Sequence, residues 1–113
     1  MKISKENALR VWESLFGKSE YAEDIFGCLM CKRAYGNEEY YEVRNGHKIY
    51  CGWNIHHILP KACGGTNAVE NLTCANIIAN QIAGDKISYW IEDSLFQVRK
   101  IKGSHIYEII KVK

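Results

Sequence analysis

The chain has little of what marks a membrane or secreted protein. No apolar run approaches the roughly 18 residues that a membrane-spanning helix needs, and the first residues, MKISKE, lack the apolar segment of a signal peptide. The five cysteines are an odd number without a secretory signal. We therefore expect reduced thiols, a cytoplasmic protein and no membrane partner.

An excess of charge of one sign is also missing. The net charge is only +2, and the four charged side chains between residues 51 and 86 sum to zero. Cations placed against phosphates supply most of the non-specific affinity of a protein for DNA. A nuclease core with this central segment must therefore use cations from elsewhere in the chain or bind DNA weakly. The densest basic stretch lies near the C-terminus and contains Arg99, Lys100, Lys102, Lys111 and Lys113.

What remains is the composition of an ordinary globular domain. The residues are 47% hydrophobic and 25% charged, as in an ordinary soluble protein. A chain of 113 residues is long enough to form one hydrophobic core but too short to form two. We therefore expect a single domain over residues 1–113. The only proline, Pro60, stands at the end of an apolar run, where it would terminate a strand because it removes a donor from the sheet.

The most informative stretch is WNIHHILPK, residues 53–61. His56 and His57 are adjacent in a strand-like run, so their side chains should point to opposite faces and one of them should face a cleft. Gly64-Gly65 permits a tight loop after the strand. Residues 70–74 are typical of a return strand and residues 75–83 of a helix. The pattern therefore predicts that a strand, a loop, a second strand and a helix converge on one small site.

An ordered set of motifs resembles the HNH nucleases, in particular small standalone HNH proteins of bacteria and their phages. The matching residues are His56-His57-Ile58-Leu59-Pro60, Gly64-Gly65, Asn71-Leu72 and Asn80, with the flanking segments Ala34-Tyr35-Gly36, Gly52-Trp53-Asn54 and Gly84-Asp85-Lys86. The resemblance implies an α+β protein built on a ββα-metal core at about residues 50–83, with an N-terminal helix and a C-terminal β-hairpin. It also implies hydrolysis of phosphodiester bonds in DNA.

The resemblance assigns a role to each central residue. His56 and Asn80 would bind one divalent metal, His57 would be the general base and Asn71 would brace the loop. The family usually has Asp at the position of His56, and often Lys at the position of Ala83. Phosphate contacts are expected from Lys61 or Lys86 and from the C-terminal basic stretch with Arg99, Lys100 and Lys102. The other interpretation of that stretch, equally favoured, is a solvated strand face.

The residue types suit this chemistry. A histidine with a pKa near neutrality can accept a proton from water, and an asparagine can donate and accept hydrogen bonds at once. Two neutral ligands favour Mn²⁺, Co²⁺ or Ni²⁺ over Mg²⁺, and Zn²⁺ is also expected to bind. A structural zinc is not expected, because Cys28 and Cys31 lack a second close pair of thiols: Asn76 and Ala79 stand where one would be needed.

The flanking segments are less distinctive. Residues 4–16 have the periodicity of a helix capped by Ser4, and Asn45-Gly46 predicts the turn of a β-hairpin. Within residues 18–49, the apolar positions around Ile25 predict a short helix or an irregular segment. Residues 96–101 and 106–112 alternate as the strands of a terminal hairpin.

Two other functions fit the same sequence. The main alternative is a catalytically silent ββα domain, such as a phage-encoded inhibitor or adaptor that binds another protein. A DNA-binding module without cleavage is less well supported, since no helix is rich in Arg, Asn or Gln. One ββα unit addresses one strand, so cleavage of both strands would imply a homodimer.

Overall fold

The computed structural model describes residues 3–113 and confirms the α+β class. Met1 and Lys2, which begin the segment expected to lack a signal peptide, lie outside this range. The strands pair antiparallel in four small sheets. The elements of the described range are α1 (Lys5–Phe16), β1 (Tyr21–Glu23), β2 (Leu29–Cys31), β3 (Tyr41–Arg44), β4 (His47–Tyr50), β5 (Trp53–His57), β6 (Leu72–Asn76), α2 (Ile77–Ala83), β7 (Ser88–Ile91), β8 (Ser94–Lys100) and β9 (Tyr107–Lys111).

Helix α1 forms where its periodicity predicted it. Ser4 caps its start, with the side-chain oxygen accepting a hydrogen bond from the backbone N–H of Asn7 at 3.2 Å. The helix ends at Phe16 and is followed by Gly17, whose φ of 65° favours a residue without a side chain. Trp12 is fully buried, and its ring lies 4.9 Å from that of Trp53 between centroids. Helix α1 therefore covers the core on one side of β5.

The central unit consists of β5, β6 and α2 in chain order. β5 and β6 pair from Trp53 opposite Asn76 to His57 opposite Leu72. The predicted types and order of these elements are confirmed, but the helix begins two residues later than expected. Asn76 explains the shift, because its Oδ1 accepts a hydrogen bond from the N–H of Ile78 at 3.0 Å and thereby caps the helix.

The segment expected to be a short helix or irregular is instead the β1–β2 hairpin. Its loop is closed by Asp24, a carboxylate that is 6% exposed. Asp24 Oδ1 accepts hydrogen bonds from the N–H groups of Phe26 and Cys28 at 2.9 and 2.8 Å. Oδ2 accepts another from the N–H of Asn76 at 2.9 Å, across 52 residues of chain. Asp24 therefore joins the β1–β2 loop to the start of α2.

Removing the Asp24 carboxylate should destabilise the protein strongly. Burial raises the pKa of this carboxyl group, although its three backbone hydrogen bonds act in the opposite direction. Asp24→Ala leaves three backbone N–H groups without their acceptor, which should cost about 3 kcal/mol and lower the Tm by roughly 10–20 °C. Thermal unfolding followed by circular dichroism measures this change. Glu23→Ala, at the exposed neighbouring position, is the control and should move the Tm little.

The two other hairpins also follow local signals. Asn45 and Gly46 both have positive φ, as the predicted two-residue turn between β3 and β4 requires. The C-terminal hairpin of β8 and β9 is confirmed, and β7 adds a third strand beside β8. One face of this sheet packs against α2 in a second core that contains Ala79, Ala83, Tyr89, Ile91 and Phe96.

No helix within residues 3–113 is both long enough and apolar enough to cross a membrane.

Candidate metal and nucleic-acid site

His56 and His57 point to opposite faces of β5, as the strand pattern predicted. His56 faces α2 and is 3% exposed. His57 is half-buried and lines an open groove of about 520 Å³. The other residues of this groove are Ile3, Tyr35, Gly36, Glu38, Asn54, Ile55 and Ile77. The two histidines therefore occupy different environments, one enclosed and one accessible to a ligand in the groove.

His56 and Asn80, which are 24 residues apart, are in direct contact. The distance between His56 Nδ1 and Asn80 Oδ1 is 2.6 Å. The Asn80 amide is oriented by its own nitrogen, which donates hydrogen bonds to the Ile55 carbonyl and to Asn54 Oδ1. Since Oδ1 of Asn80 can only accept, Nδ1 of His56 carries the proton. The lone pair of the imidazole therefore lies on Nε2, which is buried and has no hydrogen-bond partner within the protein.

These residues fit a divalent metal in the type of donor that they offer. Burial lowers the pKa of the His56 imidazole and outweighs the hydrogen bond to Asn80, which raises it. The ring is thus held neutral, as a metal ligand must be. Asn80 places its amide oxygen beside the ring, and the amide oxygen of Asn54 accepts a hydrogen bond from the Asn80 nitrogen. Within residues 3–113, no three or more His, Cys, Asp or Glu side chains are grouped closely enough to hold a metal, so the candidate donors are one imidazole and its amide neighbours.

The lowered pKa of His56 should make the metal-free protein less stable in mild acid. The unfolded chain, with a histidine pKa of about 6.5, binds the proton more readily than the folded protein does. The contribution of His56 to stability is therefore complete above about pH 6.5 and is lost as the pH falls toward the lower pKa of the folded state. In Tm measurements across this range, His56→Gln should show a weaker loss on acidification than the wild type. The exposed control, His47→Gln, should keep the wild-type slope.

His57 is oriented by a residue that the motif did not identify. Its Nε2 lies 2.7 Å from Oδ1 of Asn67, in the loop between β5 and β6. With this oxygen as the acceptor, Nε2 carries the proton and the lone pair is on Nδ1. The only sequence signal for Asn67 was its position in a loop that starts with the Gly64-Gly65 turn.

Asn71 braces the loop, as the resemblance implied. Its Oδ1 accepts a hydrogen bond from the N–H of Leu59 at 2.8 Å, and its Nδ2 donates to the carbonyl oxygens of Leu59 and Thr66 at 3.1 and 2.8 Å. The two arms of the loop are thus tied to one amide. A Cβ at Gly65 would collide with the carbonyl oxygen of Leu59, which explains the glycine there.

Contacts between chain segments link the stretches that carry four of the five cations expected to contact phosphate. Cys63 Sγ lies 3.6 Å from the carbonyl oxygen of Asp85, which places the segment of Lys61 beside that of Lys86. The carbonyl of Ile87 accepts a hydrogen bond from the N–H of Val98 at 2.8 Å, next to Arg99 and Lys100. The β8–β9 turn, residues 101–106, contains Lys102.

This turn lies against the loop that Asn71 braces. His105, Ile106 and Tyr107 share a small gap of about 90 Å³ with loop residues that include Leu59, Gly65 and Asn71. All five predicted cations are exposed, and the two ion pairs found within residues 3–113 involve other lysines and arginines. The near-neutral central segment therefore has cations of the C-terminal sheet beside it.

The cysteines are dispersed. All five are free; Cys31, Cys51 and Cys74 are buried, and Cys63 is exposed. Burial raises the pKa of the half-buried Cys28 thiol to about 11, which keeps it protonated at neutral pH.

Comparison of the chain with protein-family models, with curated proteins and with solved structures found no match. The geometry of the site is thus the basis for a functional conclusion.

Proposed function

We propose that the protein is a metal-dependent endonuclease of the HNH type that hydrolyses phosphodiester bonds in DNA, with β5, β6 and α2 as its ββα-metal core. One observation carries the proposal. His56 and Asn80 meet at 2.6 Å on the helix side of β5, while the adjacent His57 faces an open groove. Asn71, another residue of the motif, holds the loop between β5 and β6 through three hydrogen bonds from its side chain.

Each residue has a defined task in this reaction. His56 and Asn80 would hold the metal through Nδ1 and Oδ1, in place of the hydrogen bond between them and with the His56 proton on Nε2. When bound, the metal would supply positive charge to the scissile phosphate and the leaving oxygen. His57 is the general base: its Nδ1 lone pair takes the proton of the attacking water. Asn67 is a positioning residue, because its contact with Nε2 fixes both the orientation of the ring and the nitrogen that carries the proton.

The exposed cations around the loop would position the DNA backbone. Lys61 and Lys86 stand beside the metal-site elements, and the ends of β8 and β9 add Arg99, Lys100 and Lys102. Contacts of this kind fix the register of a nucleic acid and make its affinity depend on salt.

Nicking of supercoiled plasmid tests the proposal. The purified protein is incubated with plasmid and with Mn²⁺, Co²⁺, Ni²⁺, Mg²⁺ or Zn²⁺ in turn, and with EDTA as the control. We expect relaxed or linear plasmid with at least one of the first three ions and intact plasmid with EDTA. Plasmid that stays intact with every ion would overturn the proposal.

One observation favours the alternative of a silent binding protein. His56 is only 3% exposed, and its Nε2 is enclosed within the protein. Helix α2 also exposes two apolar side chains on one face, Ile78 and Ile82, at 48% and 42%. In this alternative the ββα unit serves as a scaffold, and the outer face of α2 contacts a protein target.

A further inference from the structure

The three-stranded sheet has two chemically different faces. Side chains alternate along each strand, so Tyr89, Ile91 and Phe96 point toward α2 and are buried. The intervening residues form the opposite face. From the register of β7, β8 and β9, this face, which we call the Trp90 face, consists of Ser88, Trp90, Leu95, Gln97, Arg99, Glu108 and Ile110.

Trp90 differs from the other tryptophans of the chain. Trp12 and Trp53 are fully buried, whereas Trp90 is 53% exposed. It stands directly opposite Leu95 on the neighbouring strand. The carbonyl of Leu95 in turn accepts a hydrogen bond from the N–H of Val112, which is 42% exposed. An aromatic ring with apolar neighbours on a flat sheet offers a surface on which another planar group can stack.

The charge of the sheet is polarised along its strands. At the end of the sheet with the β8–β9 turn, Arg99, Lys100 and Lys102 accompany one carboxylate, Glu108, for a net charge of +2. Glu108 stands opposite Arg99, but the two ion pairs found within residues 3–113 do not involve either. Glu92 and Asp93 lie at the other end, in the turn between β7 and β8, where the register also places Lys111 and Lys113, so that end has no net charge. Arg99 is the fourth residue after Leu95, so the apolar row and the basic end lie about 13 Å apart along β8.

We propose that the Trp90 face binds single-stranded nucleic acid, with one base stacked on Trp90 and the backbone running toward Arg99 and the β8–β9 turn. Stacking on an aromatic side chain beside a track of cations is how proteins bind unpaired strands without reading their sequence. In a duplex the faces of the bases are stacked against one another, so they are not available to stack on Trp90. The excess of cations at the β8–β9 turn end matches a polyanionic backbone, and the exposed ring of Trp90 matches an unpaired base.

The location of this face connects it to the candidate active site. The β8–β9 turn packs against the loop that Asn71 braces, so a strand bound on the Trp90 face is directed toward the elements that hold His57. This connection rests on the proposed nuclease function, but the binding itself does not. A substrate with an unpaired segment beside the scissile bond would engage both sites.

Tryptophan fluorescence tests the proposal in the intact, metal-free protein. Because Trp90 is the exposed tryptophan, quenching by acrylamide reports mainly on its ring. In EDTA, titration with an oligothymidylate should quench the emission and protect it from acrylamide. Polyphosphate, which has the charge but no bases, should do neither, and a DNA duplex of the same length should bind without quenching.

Variants separate stacking from charge. Trp90→Ala should weaken the binding of single strands by about 5- to 150-fold, the range measured for a base stacked on an aromatic ring, as followed by anisotropy of a labelled oligonucleotide. Trp90→Phe keeps an aromatic ring and should retain most of the affinity. Arg99→Gln should reduce the slope of log affinity against log salt by about 0.7. Val43→Ala, at a 72% exposed apolar position of β3, is the control and should change nothing.

The outcomes distinguish this inference from the nuclease proposal. Equal affinity of wild type and Trp90→Ala, or Trp90 emission that does not respond to single strands, would overturn the inference whatever the protein cleaves. A concentration-dependent dimer that Trp90→Ala abolishes would assign the face to a second copy and also overturn it. If the protein binds single strands through Trp90 but cleaves DNA with none of the metal ions, only the nuclease proposal is contradicted.

Discussion

Replacing His57 with alanine should lower the rate of DNA cleavage by about 10²–10⁴-fold, the usual contribution of a general base. His57 is half-buried and faces the groove, so its truncation should leave the fold intact. Rates of plasmid nicking under saturating metal measure the effect, and circular dichroism checks the fold. Cleavage by the purified variant at the wild-type rate would remove His57 as the base.

Two further variants make this result specific. His47→Ala removes an exposed histidine at the start of β4 and should leave the rate unchanged. Asn67→Ala removes the contact that orients the His57 ring. It should lower kcat less than His57→Ala does, because the base is still present but its orientation is no longer held. It should also alter the pH profile of kcat, which a purely structural change would not.

The choice of metal should differ from that of relatives with Asp at the first motif position. We expect cleavage with Mn²⁺, Co²⁺ or Ni²⁺ and little with Mg²⁺, because His56 and Asn80 are neutral and Mg²⁺ prefers carboxylate oxygens. Imidazole suits the later transition metals, and affinity rises along the series toward Ni²⁺. Zn²⁺ is expected to bind without supporting rapid turnover. Initial nicking rates at matched concentrations of each ion test this order, and a preference for Mg²⁺ would contradict it.

His56→Asp should shift the preference toward Mg²⁺. The new carboxylate faces Asn80 Oδ1, an acceptor, so the metal-free variant should be less stable than the wild type. Mg²⁺ should then raise its Tm, since a ligand that binds only the folded state stabilises it. This readout does not depend on activity. The contrary outcome is that neither the wild type nor His56→Asp cleaves DNA with any of the metals, and that Mg²⁺ leaves the Tm of the variant unchanged. The protein would then be better described as a binding protein on a ββα scaffold.

Elements that depend on near neighbours in the chain could be predicted from the amino-acid sequence alone. Ser4 and the spacing of apolar residues after it predicted α1, and Asn45-Gly46 predicted the β3–β4 turn. The alternation of side chains along β5 predicted that His56 and His57 lie on opposite faces, and they do. These features could be predicted because capping, turn geometry and side-chain alternation act within a few residues of the chain.

Contacts between distant segments, in contrast, arise only from tertiary packing. Asp24 reaches Asn76 across 52 residues, and this contact accompanies a hairpin where a helix or an irregular segment was expected. Asn67 meets His57 because the braced loop folds back over β5. The end of the β8–β9 turn, at His105 and Ile106, borders that loop because the C-terminal sheet packs next to it. Such contacts depend on how the packed elements meet in space. Patterns along the chain therefore predicted which residues belong to the site, but not which contacts those residues make with distant segments.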